Sequence, residues 1–221
     1  VEAVRTPVGK GKPNGSLAHV HPVELLAHTL RTLVERSGVD PALIDDVIGG
    51  TVDQVGEQAM NTTRYAALSA GFPETVPATT VDRQCGSSQQ AVHFAAQGVI
   101  AGAYDIVVAC GVESMSRVPM WSNVPEGKDP FGPGIAARYE EGLVPQGISA
   151  ELIAAKWSIT REQMDAFAVS SHRKAAEAWD KGLFDSEVAP LDGVSRDECV
   201  RPGSTPEILA GLKPAYQDPA F

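Results

Sequence analysis

"ATTVDRQCGSSQQAVHFAAQGVIAGAYDIVVACG", residues 78–111, decides the reading of the fold. Residues 78–85 are short and β-branched, which reads as a strand. Residues 87–102 read as a helix with a small-residue face. Residues 104–111 form a near-continuous apolar run, as in a strand covered on both sides. Strand, helix and strand in this order predict a βαβ unit with a parallel sheet. At the first junction stands Cys85, just before the turn residue Gly86. In an open α/β sheet, ligands collect at the carboxyl ends of strands, which is where this thiol is placed.

The same alternation extends towards the N-terminus. "VEAVRTP" reads as the end of a strand, and residues 22–36 as an amphipathic helix with Leu26, Leu30, Leu33 and Val34 on one face and Gly38 as its stop. Residues 45–52 read as a buried strand interrupted by glycines, and 61–71 as a helix closed by Gly71 with Pro73 beyond it. After Met115 the texture changes. The segment 116–134 is too rich in proline and glycine for a regular element. Helices are predicted at 149–157, starting at Ser149, and at 161–182, where Thr160 and Gln163 make a capping-box pattern. The remainder reads as short strands, a turn and one small helix that Thr205 caps and Pro206 opens. A boundary is placed near residue 117.

Composition narrows the function. The 221 residues are 43% hydrophobic and 21% charged, ordinary for a globular chain. A formal charge of −10 argues against a nucleic-acid partner or an anionic membrane surface, and no apolar run is long enough to cross a bilayer. Three cysteines without a pairing pattern argue against a disulfide framework and for a reducing compartment, so a cytoplasmic location is expected. No metal site is expected, because the histidines and cysteines lack ligand spacing. The sequence lacks an initiator methionine, opens inside a strand and stops abruptly, and so reads as a piece of a longer protein.

Cys85 precedes a helix N-terminus, whose positive end favours a thiolate. Ser87 and Ser88 can cap that helix, and the Cys85 N–H could help stabilise an oxyanion. A soft sulfur nucleophile suits acyl transfer through a thioester. The bland alternative is a small thiol packed under the helix. A local base is not evident: His93 is two helical turns away and reads as a packing residue, while His19 and His21 flank a helix entry. His28 and His172 complete the histidines.

"VEAVRTPVGK", "NTTRYAALSAGFPETVPATTVDRQCGSSQQAV", "ACGVESMSRVPM", "DAFAVSSHRKAAEAW" and "DECVRPGSTPEILAGLKPAY", in this order, resemble the thiolases, the acetyl-CoA acetyltransferases and 3-ketoacyl-CoA thiolases. The resemblance implies a layered αβαβα fold made of two similar α/β halves. Residues 1–116 would be most of the first half, and 117–221 a loop domain covering the coenzyme A site. It also implies that Cys85 is the nucleophile that carries the acyl group, in thiolysis of a 3-ketoacyl-CoA or in Claisen condensation of acetyl-CoA. CoA and acyl-CoA would be substrates, with no tightly bound cofactor, and the protein a homodimer or tetramer.

The thiolase histidine, asparagine and second cysteine belong to motifs of the second half, which this sequence does not contain. The visible piece is therefore expected to be inactive alone. A non-catalytic thiolase-like half, serving as a scaffold or heteromer subunit, is the alternative. Arg201 matches the loop-domain arginine that meets the nucleotide end of CoA. Ile208 stands where some thiolases place a serine, and is either a pocket wall or the buried face of the small helix. Cys110 reads as a packing residue, and Cys199 has no assigned chemistry. Pro145 and Gln146 replace a histidine–methionine pair, a departure that looks like thiolases of bacterial fatty-acid or steroid-side-chain breakdown.

Overall fold

A computed structural model describes residues 1–140 and 142–216. These form two compact units: Val1–Pro125 with Phe184–Cys199, and Glu126–Leu183 with the segment from Val200 onward.

The first unit is built on three parallel strands, β1 (Asp46–Gly50), β2 (Ala78–Val81) and β3 (Val107–Gly111), in the order β2-β1-β3. Helices α1 (Pro22–Ser37) and α2 (Thr62–Ser69) cover one face. Leu26 and Leu30 of α1 and Ala66 and Ala67 of α2 pack there with Val47, Val108 and Val112. Helix α3 (Ser87–Ile100) covers the other face through Ala91 and Ala95, which meet Ile48. The two clusters follow from the pleat: Val47 and Ile48 point to opposite sides of β1. The sequence pattern predicts both helix ends of α1, and His21 and Gly38 realise them. The His21 side chain accepts from the Val23 N–H, while Gly38 at φ 66° returns its own N–H to the Val34 carbonyl.

Strand β2 is shorter than the β-branched run suggests. It ends at Val81, and residues 82–86 form a separate turn. Asp82 causes the break, because its carboxylate accepts from the Gln84 N–H at 2.7 Å and draws the chain out of the ladder.

Residues Phe184–Cys199 return to the first unit, whereas the sequence reading places them after a boundary at 117. Two arginines explain the return. The Arg5 side chain donates to Glu187 at 2.7 Å and to Asp197 at 2.8 and 3.3 Å, and stacks on Phe184. Arg36 donates to the Ser186 and Val188 carbonyls at 2.6 and 2.8 Å. The backbone joins in: Arg5 and Val188 form a lone parallel bridge.

The second unit is helical. It contains α4 (Gly132–Arg138), α5 (Gln146–Lys156), α6 (Arg161–Asp180) and α7 (Pro206–Ala210). The capping box at α6 is present in both directions, and Thr205 caps α7 as read from sequence. Helix α5 starts at Gln146, a turn earlier than the expected Ser149, with Pro145 at its N-cap. Arg161 ties α6 to α7 by donating to the Leu209 and Leu212 carbonyls while pairing with Asp165. Residues 217–221, which the sequence reading includes in a loop domain, lie outside the described residues.

Glu198 closes the returning segment onto the N-terminal loop. Its carboxylate accepts from the Lys10 N–H at 2.7 Å, the Ser16 N–H at 2.9 Å and the Ser16 hydroxyl at 2.9 Å. These bonds, the Lys10 N–H first, hold its carboxyl below the usual range. A depressed acid stabilises the fold fully above its unfolded pKa, about 4.3, and loses that contribution as pH falls through the lower folded value. Acidification from pH 5 to 3 is therefore expected to lower the protection of the amides in residues 8–16 relative to their intrinsic exchange rates, and Glu198→Gln to remove part of that acid sensitivity. Identical exchange profiles for the two proteins would contradict this.

Candidate functional site

Cys85 lies on the turn between β2 and α3, and its side chain is exposed. The turn is held from inside. The Ser87 hydroxyl accepts from the Arg83 N–H at 2.9 Å and donates to the Gln84 carbonyl at 2.6 Å. The Gly86 N–H reaches the Arg83 carbonyl at 3.1 Å, and the Ser87 N–H reaches Gln84 at 3.0 Å. Gln84, next to the cysteine, adopts φ 48°, a left-handed conformation that a side-chain-bearing residue takes only when its surroundings enforce it. The N-cap of α3 is Gly86, without a side-chain cap. The expected capping by Ser87 is thus replaced: its hydroxyl faces back into the turn and staples it.

The start of α3 rests on the sheet at two glycines. A Cβ on Gly50, the last residue of β1, would lie 2.3 Å from the Ser88 nitrogen and 2.4 Å from the Ser87 carbonyl carbon. A Cβ on Gly111, the last residue of β3, would lie 2.7 Å from the Ser88 Cβ. No side chain fits at either place without moving the helix. The loops beyond these glycines are clamped by Gln58, which is fully buried. Its amide donates to Glu113 at 2.7 Å and to the Asp53 carbonyl at 3.1 Å, and accepts from the Ser114 N–H at 2.7 Å. Glu113 in turn accepts from the Val52 N–H at 2.7 Å. Sequence reading missed this clamp; the only available signal was the polar run around Gln58 next to the glycine strand.

An open concavity of about 340 Å³ adjoins the α3 N-terminus, lined by Ser88, Gln89, Val92, Ala109, Cys110 and Gly111. Cys85 is not part of its lining. A second cavity of about 220 Å³, between the 6–11 loop and residues 111–116, contains none of the candidate residues. Cys110 packs against the α1–α2 core, and burial pushes its thiol up to about 12, as suits a packing residue. Cys199 is exposed. His93 is exposed on α3, which corrects its reading as a packing histidine. His19 pairs with Asp192 at 2.9 Å. Among the described residues, no group of three or more His, Cys, Asp or Glu is placed to hold a metal, and no helix is long and apolar enough to cross a membrane.

Arg201 and Ile208 both belong to the second unit, and both are exposed. Ile208 is 58% exposed, which removes the buried-face reading. The Arg201 backbone is fixed by His172 on α6, whose Nδ1 accepts its N–H at 3.2 Å, and by the Ser204 N–H, which donates to its carbonyl at 3.1 Å.

A parallel α/β layer that presents an exposed thiol on a strained turn at a helix N-terminus defines a candidate nucleophile site of the acyl-transfer class. The family described as "Thiolase, N-terminal domain" matches residues 1–220, and the chain belongs to it. The chain is 43% identical over 228 residues to a steroid 3-ketoacyl-CoA thiolase of Mycobacterium tuberculosis, covering 98% of this chain and 55% of that protein. It is 41% identical over 230 residues to a 3-ketoacyl-CoA thiolase of Aliivibrio fischeri, covering 100% of this chain and 58% of that protein. A crystal structure of an acetyl-CoA acetyltransferase from Bacillus anthracis superposes with a TM-score of 0.81 at 36% identity, over 98% of this chain and 58% of that one. The chain thus spans little more than half the length of these relatives, and its α/β fold with a parallel sheet is that of the thiolase N-terminal domain.

Gly50→Ala is expected to push the α3 N-terminus off the sheet. Overpacking of this kind costs about 1–3 kcal/mol, and urea unfolding of the full-length protein would read it. The same variant is expected to alkylate more quickly at Cys85 with iodoacetamide, because a displaced helix start loosens the turn that holds the thiol. Unchanged stability together with an unchanged alkylation rate would show that the contact does not set the turn.

Proposed function

We propose that the whole protein is an acyl-CoA thiolase in which Cys85 is the nucleophile. The observation that carries this is the exposed thiol on the stapled turn before α3, in a chain whose family is the thiolases. In the degradative direction, the Cys85 sulfur attacks the keto carbon of a 3-ketoacyl-CoA. The bond between that carbon and the neighbouring CH₂ breaks, acetyl-CoA leaves as a carbanion that takes up a proton, and the shortened acyl chain remains as a thioester. Free CoA then accepts it. The reverse sequence is a Claisen condensation. Helix α3 starts two residues after Cys85, and its free N–H groups can favour the oxyanion that follows attack.

The second unit is proposed as the cover of the CoA site, with Arg201 meeting the anionic nucleotide end and Ile208 offering an apolar wall. Its exposed guanidinium on a fixed backbone suits a phosphate, since arginine binds such groups through a planar fork. CoA and its thioesters act as substrates, with no resident cofactor proposed. The whole protein is proposed to be a homodimer or tetramer, as the family resemblance implies. A reducing compartment, such as the cytoplasm, suits a thiol nucleophile. The non-catalytic scaffold draws no support from relatives whose names are those of enzymes.

Steady-state thiolysis by the full-length protein separates these roles. Cys85→Ser is expected to lower kcat by about 10³-fold or more, since the oxygen nucleophile needs an activation this turn does not supply. Arg201→Ala is expected to raise the KM for CoA about tenfold with kcat nearly unchanged. Activity of Cys85→Ser close to that of the parent would refute the assignment of the nucleophile, and an unchanged KM would refute that of Arg201.

A further inference from the structure

The hydroxyl of Ser87 does something the helix start does not require. It is 4% exposed, it leaves the capping role to the Gly86 backbone, and it spends both its hydrogen-bonding capacities on the two residues before Cys85. It accepts the Arg83 N–H at 2.9 Å and donates to the Gln84 carbonyl at 2.6 Å. Gln84 sits at φ 48°, so the peptide units on either side of it would relax if the staple were removed. The serine itself has no freedom to follow such a relaxation, because the Gly50 and Gly111 contacts press residues 87 and 88 against the sheet. The Ser87 hydroxyl thus adds two side-chain bonds to the backbone bonds that tie this turn to the fixed start of α3.

We infer that Ser87 is a positioning residue for Cys85: its hydroxyl locks the 82–86 turn so that the sulfur stands ready for attack on the acyl carbonyl. This rests on the thiolase reading of Cys85. Its consequence differs from that of a structural hydrogen bond. Without the Ser87 Oγ, the Gln84 carbonyl keeps its bond from the Ser87 N–H, and the exposed Arg83 segment can turn its N–H to water. The fold therefore loses little, while the sulfur loses its fixed place. Misplacement of a reacting atom by about 1 Å can cost about 10²-fold in rate.

The test is single-turnover acylation of the full-length protein by a 3-ketoacyl-CoA, with Ser87→Ala against the parent. The acylation rate constant is expected to fall about ten- to a hundredfold, with the substrate KM within about twofold and Tm lowered by only a few degrees. An acylation rate within twofold of the parent would overturn the inference, as would a rate loss matched by an equal rise in KM. If the parent itself is not acylated, the thiolase reading fails first. Hydrogen exchange on the parent alone supplies a second reading should the variant not fold: the Arg83 amide is expected to be protected, and free exchange there would also overturn the inference.

Discussion

The contact between the start of α3 and the bare backbone of Gly50 and Gly111 is the constraint on which the rest of the first unit depends. The helix can approach so closely only because both strands end in glycine and because Ala91 and Ala95 form its inner face. Close approach fixes the position of Ser87, and Ser87 fixes the turn that presents Cys85. The opposite face of the sheet is packed more conventionally, by the leucines of α1 and the alanines of α2, and holds the larger of the two apolar clusters. One face of the sheet thus serves stability and the other serves placement.

The polar bonds around this frame act where the apolar core does not reach. Gln58 and Glu113 tie together the loops that follow β1 and β3, so the seats under α3 are braced from their far side. Arg5, Arg36 and Glu198 bind a distant segment to the N-terminal loop and α1. Such exposed and half-exposed pairs each contribute modestly in water. Their effect is to define one path for a chain that leaves the first unit at Pro125 and returns at Phe184.

The strand–helix alternation of the first unit was legible because each element carries its own period and its own stop, as Leu26, Leu30 and Gly38 do for α1. The position of Cys85 before a helix was legible for the same reason. The return of residues 184–199 was not, because it depends on ion pairs between residues far apart in the chain, Arg5 with Glu187 and Asp197, which leave no local pattern. The β-branched run overreaches the end of β2, since the Asp82 side chain competes for the backbone there. A serine at a helix start suggests a cap, but the partners of the Ser87 hydroxyl lie behind it, at Arg83 and Gln84, rather than ahead. The alanines of α3 mark its inner face, but periodicity alone did not show that His93 faces outward.

The central claim is that this turn delivers a sulfur that accepts an acyl group, and that the other two thiols do not. Cys110 is packed against the core with its thiol pushed up to about 12, and Cys199 lies outside the α3 seat. The most direct measurement is denaturing mass spectrometry with peptide mapping of the full-length protein after brief exposure to acetyl-CoA or a 3-ketoacyl-CoA. The account predicts one acyl adduct, on the peptide containing Cys85. An adduct on Cys110 or Cys199, or none on a folded full-length protein, would contradict it.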